Sequence, residues 1–190
     1  MFVAAEIGEA LAARAEKLGV ELQKRVAKAA PRAKATWIPA GRLHLTIRFI
    51  GEVDEARALA IQKALEPAVI VTPFDMTLCG AGTFPKGGTP RVVWLGVTDG
   101  REQLLLVERE ISNRLTPVGL PQEERAYSPH LTLARVREPA GLRSTGLVEG
   151  LADRIVGTTH IETITLFHSK LSPEGPTYSP LLRIPLTAGR

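Results

Sequence analysis

Cysteine is nearly missing from this chain: Cys79 is the sole thiol in 190 residues. One thiol closes no internal disulfide and offers no thiolate set for zinc. Within Phe74–Cys79 it reads as a buried strand residue. Aromatic residues make up only 5%, too few for a long base-stacking platform. No apolar run approaches the roughly 18 residues that a membrane helix needs. The opening MFVAAEIGEA has no basic start and carries Glu6 and Glu9, so no secretory leader is expected. A cytoplasmic protein with no membrane partner follows as the expectation. The chain also lacks an HExxH pair, an Asp-rich cluster, a P-loop and a GxGxxG that opens a helix. Neither a metal nor a cofactor is expected.

What remains is ordinary globular composition, 44% hydrophobic and 23% charged. The length suits a single domain over residues 1–190, built as two lobes on one core. A net charge of +4 permits a polyanionic partner without requiring one. Its distribution is more telling. No acidic residue lies between Glu21 and Glu52, where Lys24, Arg25, Lys28, Arg32, Lys34, Arg42 and Arg48 all fall. Part of that run is the solvated face of a helix, but its placement suits a site that attracts phosphates.

Phe2–Ile7 reads as a first strand. From Gly8, apolar residues recur every three or four positions (Leu11, Ala15, Leu18, Leu22, Val26, Ala29), which predicts an amphipathic helix stopped by Pro31. Leu43–Ile50 alternates as a strand. Asp54 caps a second helix with Ala58, Ile61 and Leu65 on one face. Phe74–Cys79 and Arg91–Val97 read as strands around a Gly/Pro-rich loop at residues 80–90. Asp99 is expected to cap a third helix, and residues 116–129 to form an irregular loop. Leu131–Val136, Ile161–Phe167 and Leu181–Leu186 complete the strands, with residues 137–154 ambiguous. Short connections favour a mixed, mostly antiparallel α+β fold.

Four histidines are present, and two open nearly the same phrase: His44-Leu45-Thr46-Ile47 and His130-Leu131-Thr132-Leu133. The phrases lie about half a chain apart, as an internal duplication places them. Alternation sends Leu45, Ile47, Leu131 and Leu133 inward and sets each His beside its Thr on the opposite face. By the same rule Arg48 shares the His44 face, whereas Arg135 falls opposite His130. Two such strands would gather two imidazoles and two hydroxyls around one cleft. Imidazole suits proton transfer near neutral pH, and a pair can divide acid from base. Two histidines alone underfill a zinc shell. His160 and His168 read as surface or hydrogen-bonded strand residues.

At these residues the chain resembles the two-histidine phosphoesterase superfamily, marked by paired His-x-Thr-x motifs. Within it, the likeness is to the RNA 2′,3′-cyclic phosphodiesterases, long labelled 2′-5′ RNA ligases. Met1–Glu6, Gly82-Thr83-Phe84-Pro85, Pro90–Val97, and Ser169-Lys170-Leu171 with Tyr178 resemble further family phrases in the same order. The resemblance implies a bilobal α+β fold with two pseudo-symmetric, mostly antiparallel sheets flanked by helices around a central cleft. It implies metal-independent hydrolysis of a 2′,3′-cyclic phosphate at an RNA end to a 2′-phosphomonoester; a cyclic nucleotide stays open as the substrate, and a monomer is the expectation. His44 would be the proton donor and His130 the proton acceptor. Thr46, Thr132 and Arg135 would hold the phosphate, with Arg48 as an alternative cation and Phe49 as a ring for a base. Phe2 and Phe84 are further stacking candidates.

Two other readings stay open on sequence: ligation of tRNA halves through the same residues, and a catalytically silent nucleotide- or RNA-binding module. Pseudo-symmetry also leaves acid and base exchangeable.

Overall fold

A computed structural model describes residues 1–173 and 175–189. The chain runs β1 (Phe2–Glu6), α1 (Glu9–Ala29), β2 (Lys34–Trp37), β3 (His44–Phe49), α2 (Glu55–Leu65), β4 (Phe74–Phe84), β5 (Val92–Val97), α3 (Arg101–Leu115), β6 (His130–Glu138), α4 (Ser144–Val148), β7 (Ile155–Ile161), β8 (Thr163–Ser172) and β9 (Gly175–Pro185). The strands form a four-stranded sheet ordered β3-β1-β8-β9 and a five-stranded sheet ordered β2-β6-β5-β4-β7. Every pairing of named strands is antiparallel. Set aside β2, and the two orders match strand for strand. The α+β, two-sheet expectation holds.

The hydrophobic pattern explains the layers. Helix α1 buries Leu11, Ala15, Leu18, Leu22 and Val26 on one stripe, packed against β6 and β7 of the five-stranded sheet. Helix α3 buries Leu104, Val107, Ile111 and Leu115 and packs on α2 and β3 of the other sheet. Strand β1 is apolar along nearly its whole length because both its faces are covered. Val3 and Ala5 enter the main core, while Phe2 and Ala4 join a small cluster with Phe167 and Tyr178. The inward residues of the two motifs, Leu45, Ile47, Leu131 and Leu133, are all buried.

Several local expectations are corrected. Asp54 does cap α2, accepting from the Arg57 backbone N–H at 2.8 Å. Asp99 does not cap α3; Gly100 stands there with φ 77°, a left-handed backbone that glycine adopts without cost. The first half of the expected loop 80–90 is strand, since β4 continues to Phe84. Its glycines serve close approach: a Cβ on Gly82 would sit 2.2 Å from the Trp94 ring, so only glycine lets that ring lie flat on β4. Strands β2 and β7 were not expected, and the ambiguous stretch 137–154 holds the end of β6 and α4. Cys79 is half-buried, at a register shift between Cys79 and Ala81.

The motif leucines lie fully inside the main core. Leu131→Ala should cost about 2–5 kcal/mol of unfolding free energy, the usual loss for an unfilled core leucine. Leu171, 80% exposed, serves as control, with Leu171→Ala expected within about 0.5 kcal/mol of the parent. Urea unfolding measures both.

Candidate active site

Each motif sits at the start of a strand, β3 or β6, and these two strands meet across the gap between the sheets. In both, the ladder skips one residue directly after the His-x-Thr. On β3, Val3 pairs with Arg48 and Ala4 with Thr46, leaving Ile47 unpaired. On β6, Val93 pairs with Ala134 and Trp94 with Thr132, leaving Leu133 unpaired. These are β-bulges, and a bulge reverses the facing of everything beyond it. Two consecutive residues therefore turn inward in each strand: Ile47 with Arg48, and Leu133 with Ala134.

That shift corrects two sequence expectations. Arg48 does not share the His44 face. It is only 5% exposed, with Nη1 3.3 Å from Glu123 Oε1 and Nη2 donating to the Pro121 carbonyl. It holds the segment leading to His130 and is no free cation for a substrate. Conversely, Arg135 comes round to the His130 and Thr132 face, and Phe49 to that of His44.

A cleft of about 240 Å³ is lined by His44, Thr46, Phe49, Thr132, Arg135 and Tyr178, among others. A larger cavity of about 570 Å³ adjoins it, shares Thr46 and Phe49, and contains His130, Phe84, Arg91 and Arg125 in its wall. The motif residues named from sequence thus meet around two adjoining cavities, Arg48 excepted. Phe49 stands 58% exposed at their common rim. Phe2, by contrast, is buried beneath His44.

The imidazoles are held alike. His44 Nδ1 lies 2.9 Å from the Arg42 carbonyl, and His130 Nδ1 lies 2.7 Å from the Ser128 carbonyl. A carbonyl only accepts, so each Nδ1 carries the proton and each Nε2 is left for a substrate. Aromatic rings fix the planes. Phe2 stacks on His44 at 4.8 Å and Tyr178 meets it edge-on at 5.1 Å. Phe84 meets His130 edge-on at 5.0 Å, with Trp94 at 6.3 Å.

Burial pushes both imidazoles below their ordinary range; the carbonyl bond opposes this, and the Arg135 cation adds to the lowering at both rings. One guanidinium therefore acts on both histidines. Burial raises the Tyr178 phenol, against the pull of Arg42 and Arg135, so it faces the cleft as a neutral hydroxyl.

A family model described as the 2′-5′ RNA ligase superfamily matches residues 18–170. The chain belongs to that superfamily. An Aeropyrum pernix relative named RNA 2′,3′-cyclic phosphodiesterase is 36% identical, over 74% of this chain and 80% of its own length. A Thermotoga maritima relative of the same name is 30% identical, over 99% of this chain and 96% of its own. A crystal structure of E. coli LigT complexed with 3′-AMP aligns at a TM-score of 0.70 and 25% identity, covering 98% of this chain and 97% of that one.

Sequence reasoning missed Arg42 as a site residue, placing it only in a basic run. Extending the repeat two positions backward points to it, because Arg42 and Ser128 stand at the same offset from their histidines. The run itself disperses. Arg25 pairs with Glu21, Lys34 with Glu138 and Arg48 with Glu123; Arg42 alone of the seven lines these cavities. The other cations there, Arg91, Arg125 and Arg135, come from later in the chain. His160 and His168 are exposed on strands, His160 with its Nδ1 2.7 Å from Asp75 Oδ1.

Removing the shared cation should move both rings together. Arg135→Gln is expected to raise the titration midpoints of His44 and His130, both still short of about 6.5 because burial persists. An NMR titration of the imidazole protons checks this; movement of only one ring would contradict a common field.

Proposed function

We propose that this chain hydrolyses a 2′,3′-cyclic phosphate at an RNA end to a 2′-phosphomonoester, with its two imidazoles as acid and base. One observation carries the reading. Two histidines on strands that meet between the sheets are each tied at Nδ1, each free at Nε2 among the described residues, and share one arginine. The names of the relatives support the substrate. No three His, Cys, Asp or Glu side chains cluster among the described residues, which favours proton transfer over a metal-bound hydroxide.

The step balances as follows. His130 Nε2 takes a proton from water, and the oxygen attacks phosphorus in line. The P–O3′ bond breaks, and His44 Nε2 donates its proton to the departing O3′. Thr46 and Thr132 donate hydrogen bonds to the non-bridging oxygens, and Arg135 offsets the charge that develops there. Phe49 offers its exposed ring to the terminal base.

The depressed pKa values decide how the acid is charged. In the free protein both rings are mostly neutral at pH 7. A phosphate anion between them favours the protonated form and restores an imidazolium at His44. The profile of kcat/KM, which reports the free enzyme, should therefore fall with rising pH through a limb below about 6.5. The limb of kcat, which reports the complex, should lie at higher pH. Both limbs belong to the coupled pair. Coincident limbs would contradict this charging by substrate.

His44→Ala and His130→Ala are each expected to lower kcat by about 10²–10⁴, and chelators to leave the rate unchanged. Phosphorus NMR of the product from a nucleoside 2′,3′-cyclic phosphate tests the direction. A 2′-phosphate fits His44 serving O3′, whereas a 3′-phosphate requires the opposite leaving group. The family description favours a second reading, in which a 5′-hydroxyl replaces water and the same proton transfers join two RNA ends. Supplying a 5′-hydroxyl RNA and looking for a 2′-5′ linkage separates the two.

A further inference from the structure

A third cavity, of about 170 Å³, opens beside the cleft and has no part in the reaction above. It shares Arg42, Arg135 and Tyr178 with the cleft and adds Arg137 and Trp37, but contains neither motif histidine and neither motif threonine. Three guanidinium groups face it, and no carboxylate does among the described residues that line it. Gathered like charges repel, and neither Arg135 nor Arg137 has a carboxylate partner among the described residues. Guanidinium forks match phosphate oxygens two at a time, so a phosphate relieves the repulsion.

The strand sets the spacing. Arg135 and Arg137 flank buried Val136 on β6 and point to the same face. At up to about 3.4 Å per residue, and less at the bulge that leaves Arg137 unpaired opposite β2, their stems stand no more than about 6.8 Å apart, within the range of neighbouring phosphates in a nucleic-acid strand. Arg135 belongs to both cavities, Arg137 to the third alone. The Trp37 and Tyr178 rings give apolar walls against which sugar or base can pack.

We propose that this cavity is a second phosphate subsite, which takes the phosphate on the 5′ side of the terminal ribose while the cyclic phosphate occupies the cleft. The inference rests on the cyclic phosphodiesterase reading and extends it. The preferred substrate is a strand end, or a cyclic nucleotide carrying a 5′-phosphate, over a nucleoside 2′,3′-cyclic phosphate with a free 5′-hydroxyl.

The experiment compares kcat/KM for adenosine 2′,3′-cyclic phosphate with and without a 5′-phosphate, in the parent and in Arg137→Gln, at two salt concentrations. The 5′-phosphate should give the parent an advantage of roughly ten-fold or more. That advantage should shrink with salt and fall toward parity in Arg137→Gln, with Arg137→Lys in between. Equal kcat/KM in the parent would overturn the subsite and leave the cyclic phosphodiesterase reading standing. Hydrolysis of neither compound would overturn that reading instead. Calorimetry then decides the subsite by itself: adenosine 2′,5′-bisphosphate should bind the parent more tightly than adenosine 2′-phosphate by a similar factor, lost in Arg137→Gln. Equal affinities would overturn it.

Discussion

An imidazole can exchange protons with a substrate only through a nitrogen that nothing else occupies. Here each motif histidine spends Nδ1 on the carbonyl two residues before it, which settles the tautomer and turns Nε2 outward. The rest of the site follows from that bond. Flanking rings hold each imidazole in plane, strands β3 and β6 bring the two together, and the bulges after the threonines decide which neighbours join them. The two halves use one construction but differ at several offsets, among them the fifth residue after each histidine. Where β3 turns Phe49 toward the cleft, β6 turns Arg135. A duplicated frame thus ends in one ring and one cation, which suits a ligand with a base at one side and a phosphate at the other.

The lobes are tied as well as apposed. Arg48, turned inward by its bulge, holds the segment before His130 through Pro121 and Glu123. The Tyr127 hydroxyl donates to the Thr46 carbonyl at 2.9 Å, and Arg57 donates to the Gly119 carbonyl. The irregular stretch 119–129 is therefore strapped to the strand and helix of the first motif. This fixes where the Ser128 carbonyl, and with it His130, stands relative to Thr46.

Much of this was legible in the sequence, because burial imposes periodicity and scarce residues stand out. The repeated His-Leu-Thr phrase located both strands, and alternation placed the leucines inward and the threonines beside the histidines. What escaped has specific causes. Ile47 followed by Arg48 reads as continued alternation, so a bulge that adds one residue leaves no mark in the pattern. Gly80 and Gly82 look like loop residues, yet Gly82 is there because the Trp94 ring lies on it. Strands β2 and β7 are edges, bonded on one side and half in solvent, and Lys34–Trp37 carries little apolar signal. The charge run misled because linear proximity to His44 says nothing of side-chain partners. Arg25, Lys34 and Arg48 are spent on carboxylates.

Strand β1 lies in the middle of its sheet, between β3 and β8, and the ring that meets His44 edge-on, Tyr178, belongs to β9. Strand β1 is therefore made well before β8 and β9, the two strands that complete its surroundings. A nascent chain that has emerged as far as Thr132 already carries both motifs. It still lacks the hairpin that covers Phe2 and squares His44 to the cleft. During synthesis the surroundings of His44 thus stay incomplete until β9 has emerged.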